Sequence, residues 1–239
     1  MLEAIYNRIS RRSFLNEELT NNEIKQIQLY LEKINKESNL TIEFLNDGSI
    51  AFRNLRKSYG LFTNVKSLIL MKGMQKDTNL KEKIGYYGEE LVLYLTTLGL
   101  GTCWVGGTFD QAYFQIKENE SLICVIVVGK VDNLTLKEKM IRATISKNRK
   151  GIEQRLIADT KELPPWLVNG MEAVRLAPSA KNAQNPVFYY KEGKVFAEVI
   201  DNYEFDLVDL GIAKKHFEIA TDGRFLLGNG SIFTRRKEE

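Results

Sequence analysis

Histidine occurs once, at His216, and cysteine twice, at Cys103 and Cys124. A zinc site rich in histidine, or a Ser-His-Asp triad, would have to be built on that single imidazole. Each cysteine lies inside an apolar stretch and outside any C-x-x-C or metal spacing, so both read as buried thiols. Long hydrophobic runs are also missing. The longest, Leu122 to Val128, has seven residues, against roughly 20 for a helix that spans a bilayer. The N-terminus MLEAIYNRISRRSF lacks a basic segment followed by an apolar one, which is not a secretory pattern, and the expected location is cytoplasmic. Charge of one sign is scarce too: 34 basic against 31 acidic residues leave +3. The only block is Arg235-Arg236-Lys237, read as a frayed terminus, so neither nucleic acid nor a membrane is an expected partner.

What remains is ordinary globular material, 239 residues with 44% hydrophobic and 27% charged content. A chain of that length buries roughly 70–75% of its unfolded surface, enough for one large core or two fused ones. Helical spacing of apolar residues predicts helices over 3–12 and 21–36, the second started by a Thr20/Glu23 capping box. Stretches 40–45 and 49–52 around Asn46-Asp47-Gly48 predict a hairpin. Strands follow at 65–71 and 121–128, with an apolar helix at 85–98 that stops at Gly99 and a basic helical stretch at 135–156. After Pro164-Pro165 the order repeats: a helix over 167–176, strands 187–190 and 195–199 around Glu192-Gly193, and a helix over 207–220. The second part reads as a shortened copy of the first, giving halves 1–160 and 161–239. Gly88 to Gly99 sets beside Gly211 to Gly223 with one insertion, a match that two amphipathic helices can also reach by convergence.

Three segments carry candidate chemistry. Arg11-Arg12-Ser13 follows a predicted helix, where guanidinium forks and a hydroxyl can grip a phosphate; a solvated basic helix end is the plainer reading. Gly99-Leu-Gly-Thr-Cys-Trp-Val-Gly-Gly107 lets backbone approach a planar ligand, or is simply a helix cap leading into a strand. Ala177-Pro-Ser-Ala-Lys-Asn-Ala-Gln-Asn-Pro186 presents Ser179, Asn182 and Gln184 as donors and acceptors for ring edges, more polar groups than a plain turn requires.

Together these segments resemble the FMN-dependent nitroreductase family, in particular its members that carry two tandem half-copies in one chain. The resemblance implies an α+β fold, a pseudo-dimer around mixed and antiparallel sheets. It implies that Arg11, Arg12 and Ser13 hold the FMN phosphate and ribityl chain, with Arg149 near a phosphate-facing turn beside Lys150. Val105 and Gly106 then offer backbone N–H to the flavin, and Pro178, Ser179, Asn182 and Gln184 lie along its ring. The first half has the Arg-x-Ser and glycine segments, the second only the Pro-Ser-x-x-Asn segment. One FMN per chain, between the halves, is therefore expected, with the chain a monomer or a weak homodimer.

As the resemblance implies it, the reaction is NAD(P)H-driven two-electron reduction of a nitroaromatic, quinone or similar small molecule. It needs no catalytic side chain and no metal, because the flavin carries the electrons. The alternative is a non-catalytic flavin-binding, or flavin-less, regulatory protein that keeps the fold. Two departures stand out. Leu15 replaces the basic residue expected two positions after the motif serine, with Lys181 as a substitute, and Gln184-Asn185-Pro186 has one residue more than the family's Gln-Pro. Tyr59, Phe62, Tyr86, Tyr87 and Trp104 are candidate walls for substrate, or simply core, and His216 reads as a packed or surface histidine.

Overall fold

The computed structural model describes residues 1–53 and 61–236; Tyr59 and Lys237 lie outside the described residues. The chain is α+β and divides into two compact units. One comprises Asn7–Leu80 and Leu91–Thr144, the other Met1–Tyr6, Lys81–Glu90 and Ile145–Glu239.

The first unit is organised by an antiparallel sheet in the order β1-β2-β4-β3, with β1 Glu43–Leu45, β2 Ser67–Met74, β3 Gly101–Val105 and β4 Glu120–Gly129. β2 and β4 read as unbroken apolar runs because the sheet buries both of their faces: Leu68 to Met71 and Cys124 to Val128 are all buried. One side packs Phe14, Phe52, Val65, Leu68, Leu70, Val105, Phe109, Val125 and Val127 into a single cluster. Helix α1 covers Leu2–Asn7 and α2 Asn21–Ser38, the latter started by Thr20 and Glu23 in the expected reciprocal cap.

Three expectations fail here for identifiable reasons. The first helix stops at Asn7, because Ser10 to Ser13 run extended, bridged to Thr102 and Thr63. The 40–52 hairpin is absent. Asn46-Asp47-Gly48 does turn the chain, with Asp47 accepting from Ser49 N, but Ser49–Phe52 winds into a 3-10 turn and β1 pairs with β2. The basic helix, α4, covers Leu136–Lys147 and ends before Gly151, which precedes a further 3-10 turn, Ile152–Gln154.

The second unit contains a sheet in the order β5-β6-β7-β9-β8, with β5 Leu156–Ala158, β6 Val187–Lys191, β7 Lys194–Glu198, β8 Gly223–Phe225 and β9 Ser231–Arg235. β5 pairs parallel to β6 and the remaining pairs are antiparallel. Its core gathers Phe188, Phe217, Phe225 and Phe233 with Leu167, Met171 and Val174 of helix α5, Pro165–Leu176. Arg235, expected in a frayed tail, ends β9 with its guanidinium 4.9 Å from the Trp166 ring. Cys103 and Cys124 are both buried and are not joined in a disulfide, as expected.

Helix α3, Leu80–Thr97, gives its residues 81–90 to this second unit, where they cross α6, Asp206–Thr221. The crossing is backbone on backbone. A Cβ on Gly85 would lie 1.9 Å from Val208 O, and one on Gly211 would lie 2.1 Å from Glu82 O. Each helix thus offers a glycine to the carbonyl one turn before the other's glycine, a reciprocal contact. Around it lie polar side chains with close partners: Lys214 with Glu82 at 2.6 Å, Lys215 with Glu90 at 2.8 Å, and His216 Nε2 with Glu89 Oε1 at 2.9 Å. His216 is the packed histidine expected, its Nδ1 facing Ala173 O. Tyr86 is core, its hydroxyl donating to Glu218, and burial with that carboxylate pushes the phenol far above its usual range.

Replacing either crossing glycine forces a methyl group into a carbonyl oxygen that cannot move aside. Gly85→Ala and Gly211→Ala are each expected to cost about 2–3 kcal/mol, read by thermal denaturation as a fall in Tm of roughly 5–10 °C. Gly107→Ala, whose Cβ meets nothing within 4 Å, is the control and should leave Tm in place.

Candidate functional site

Ser10 to Ser13 have no strand partner along their whole length, so their backbone donors must be satisfied otherwise. Arg11 N reaches Thr102 O at 2.8 Å. The next two N–H groups, of Arg12 and Ser13, both point at one carboxylate oxygen, Glu138 Oε1, at 2.8 and 3.1 Å. Arg11 Nε joins them at 3.1 Å, and its Nη2 donates to Asp132 O at 2.9 Å. The other oxygen of Glu138 accepts from Thr135 N and Oγ1, each at 3.0 Å, closing a capping box at the start of α4. Burial raises the pKa of this carboxyl, and the bonds from Arg12, Thr135, Arg11 and Ser13 outweigh it, holding it at about 2.

The turn expected to grip a phosphate is therefore built around an internal anion. Arg11 is buried and committed to Glu138. Among the described residues, no hydrogen bond or ion pair engages the Arg12 guanidinium or the Ser13 hydroxyl. Those two groups are the ones left for a ligand.

The glycine segment separates in the same way. Gly99, at φ 76°, closes α3 in the left-handed conformation, and Leu100 N returns to Leu95 O. Gly101 is a packing residue, since a Cβ there would meet Val131 at 2.2 Å and Arg11 at 3.0 Å. Past buried Val105, the end of β3, come Gly106 and Gly107, the latter facing open space.

The 177–186 segment joins α5 to β6 and is held from several directions. Lys181, Asn182 and Gln184 all have positive φ, at 52°, 56° and 53°. Left-handed backbone costs a non-glycine residue about 1–2 kcal/mol, so the surroundings must fix it. Gln184 does much of this. Its amide nitrogen donates to Asn148 O and Asn182 O at 3.0 and 3.1 Å, its side-chain oxygen accepts from Lys150 N at 2.9 Å, and its own N–H donates to Ser179 Oγ at 3.0 Å. Lys150 Nζ donates to Ala183 O at 2.8 Å and Gln184 O at 3.2 Å, while Arg149 donates to Arg175 O. From α6, Asp209 accepts the Ala180 N–H, and Asp206 takes Asn185 Nδ2 at 2.8 Å.

Burial raises Asp209 to about 7; the Ala180 bond opposes this, Asp206 adds to it and Arg155 opposes it. Gln184 and Arg149 are thus framework here. Asn182 keeps its side-chain amide clear of hydrogen bonds among the described residues, and Ser179 its hydroxyl proton. Pro178 is half-buried at the start of the segment. Lys181, the candidate substitute for a cation at position 15, lies with its Nζ 4.5 Å from the Tyr203 ring.

Of the aromatic candidates, Tyr86 and Tyr87 are buried against each other and Phe62 packs edge-on against Phe52, while Trp104 is half-buried on β3. Sequence reasoning missed Glu138, Lys150 as a loop brace, and Asp209. Only Glu138 had a signal, the Thr135-x-x-Glu138 capping pattern. Among the described residues no group of His, Cys, Asp and Glu is arranged to hold a metal, and no helix is long and apolar enough to cross a membrane.

The sequence matches the family model described as Putative TM nitroreductase over residues 1–221. Among solved structures, a Thermotoga maritima MSB8 protein described as a putative nitroreductase aligns with TM-score 0.64 at 24% identity, covering 97% of this chain and 91% of its own. An FMN-dependent nitroreductase of Clostridium difficile R20291 aligns at TM-score 0.46 and 16% identity, over 56% of this chain and 90% of its own. A nitroreductase family protein of Clostridium difficile 630 gives 0.48 and 13%, over 64% and 95%. No curated protein matches the chain. The Thermotoga likeness establishes the nitroreductase fold.

Glu138 and Asp209 make opposite contributions to stability. Glu138 falls from 4.5 to about 2 on folding, so its stabilisation is present above pH 4.5 and is lost as pH falls towards 2. Asp209 rises from 3.8 to about 7, so its contribution is complete below 3.8 and is lost as pH rises through 7. Chemical denaturation across pH 3 to 8 is expected to show Glu138→Gln removing the acid limb and costing about 3 kcal/mol near neutrality. Asp209→Asn should flatten the decline from pH 4 to 7. A wild-type curve that rises through that interval would contradict the Asp209 assignment.

Proposed function

The chain belongs to the Putative TM nitroreductase family, and on that premise we propose that it is an FMN-dependent oxidoreductase. It takes two electrons from NAD(P)H and gives them to a small organic acceptor such as a nitroaromatic or a quinone. The observation that carries this reading is the 178–184 segment, three non-glycine residues fixed in left-handed backbone with the Asn182 amide left unengaged. Strain kept in place by so many bonds is the mark of a prearranged ligand-contacting segment.

The residues present fit FMN group by group. The Arg12 guanidinium and Ser13 hydroxyl suit its phosphate and ribityl chain, with Arg11 holding their backbone through Glu138. Asn182 and Ser179 suit the edge of its ring, and Gly107, beside Val105 and Gly106, leaves backbone clear for close approach. When bound, FMN supplies the two-electron chemistry, and the protein's part is to bind, orient and tune it. The reciprocal Gly85–Gly211 crossing supports reading the chain as a fused pseudo-dimer with one FMN. Leu15, in place of a cation, and Lys181, drawn onto Tyr203, favour a second reading, a flavin-binding protein without turnover.

The visible spectrum of the purified protein with FMN, before and after anaerobic NADH or NADPH, separates these. About one FMN per chain that the nicotinamide bleaches is the expected result. Bound flavin that stays oxidised would establish the second reading, and no bound flavin would overturn both. Arg12→Ala is expected to weaken FMN binding about tenfold or more, a charged hydrogen bond being worth roughly 1.5–3 kcal/mol, with Tm unchanged. Arg11→Ala should instead lower Tm, because it leaves Glu138 buried without its cation.

A further inference from the structure

Arg155 is the last residue before β5 and is 3% exposed. Its Nη1 donates to Val174 O at 2.9 Å, in the last turn of α5, and its Nε to Pro186 O at 3.3 Å, just before β6. One guanidinium therefore ties the two ends of the 177–186 segment together. Its own carbonyl accepts Phe188 N at 2.8 Å, fixing the strand that follows. Among the described residues it makes no ion pair, and its hydrogen-bond partners are neutral carbonyls; Asp209 is the carboxylate whose field reaches it. A buried cation with so little compensation is costly, and burial lowers it to about 10.

Arg155 does not act alone. Arg149 donates to Arg175 O and Lys150 to Ala183 O and Gln184 O. Three cations from 149–155 thus bind carbonyls on both flanks of the segment. Fixing the carbonyl oxygens on the cation side turns the peptide dipoles, and the summed positive charge, towards whatever the segment contacts.

We propose that Arg149, Lys150 and Arg155 form a cationic clasp that positions the 178–186 segment and places behind it a positive field that favours reduced flavin. This rests on the FMN reading above. Reduced flavin bears more negative charge than oxidised flavin, so a positive field behind the segment favours the reduced form. The three are positioning residues, acting through the segment's backbone.

A purely structural brace would change the affinity for oxidised and reduced FMN alike, whereas the clasp changes their ratio. The test is the midpoint potential of bound FMN in the full chain, with Lys150→Met, Arg155→Met and Arg155→Lys beside the wild type. Each methionine variant is expected to lose about tenfold in preference for reduced over oxidised FMN, roughly 30 mV for a two-electron couple, and Arg155→Lys to recover most of it. Unchanged potentials with FMN retained would overturn the electrostatic role. Hydrogen exchange without FMN tests the positioning role separately. Amides from Ser179 to Asn185 should exchange at least tenfold faster in Lys150→Met than in wild type, and equal protection would overturn it. A wild-type chain that binds no FMN would defeat the functional reading, leaving the exchange result to decide whether the clasp holds the segment.

Discussion

Backbone outside helix and sheet must still satisfy its N–H and C=O groups, and in this protein buried or half-buried charged side chains meet that requirement at both candidate segments. At Arg12 and Ser13 the donors converge on Glu138. At Ala183, Gln184 and Pro186 the carbonyls converge on Lys150 and Arg155. Neither segment could keep its shape with apolar neighbours, since each unmet buried polar group costs about 1–3 kcal/mol. The charges come from α4 and from the stretch that follows it, 149–155.

This division of labour changes how the basic residues should be read. Arg11 and Arg149 look like anion ligands on paper because Arg is the residue that grips phosphate. Here the fold uses their guanidinium groups for its own carboxylate and carbonyls. Arg12 keeps its guanidinium clear of hydrogen bonds among the described residues, and its backbone is immobilised by the Glu138 bond that Arg11 supports. A ligand arm works best when its own main chain is fixed by something else.

The parts legible in the sequence were those decided locally or by long periodic runs. The α2 cap at Thr20 and Glu23 and the buried strand β4 lie where the pattern placed them, and β2 runs over 67–74 where 65–71 was expected. Segments 11–13, 99–107 and 178–184 were legible as candidates, while which of their side chains the fold itself consumes was not. Which Arg is free depends on Glu138, 127 residues from Arg11, and no local signal links the two. The 40–52 stretch misled because its turn chemistry is real while the pairing is not. Asn35 binds Ile42 through both its N–H and its C=O, and β1 then joins β2 across a long loop. β8 and β9 were too short, and too dependent on Phe233 meeting Val195 and Phe225, to announce themselves.

The two segments differ in where their positive charge lies, and that follows from which backbone group each one surrenders. The 11–13 turn spends its N–H groups on an internal carboxylate, which also cancels Arg11, so the charge it can offer outward is that of Arg12. The 178–186 segment spends carbonyls on Lys150 and Arg155, which leaves positive charge behind it, tempered by Asp209 and Asp206. Asp209 is therefore the counterweight of the clasp. Its carboxylate accepts from Ala180 and attracts Arg155, so when it is neutral the segment loses part of an anchor and the clasp gains field. Burial raises its carboxyl to about 7, so the charge on Asp209 bears on both the anchoring and the electrostatics of this segment.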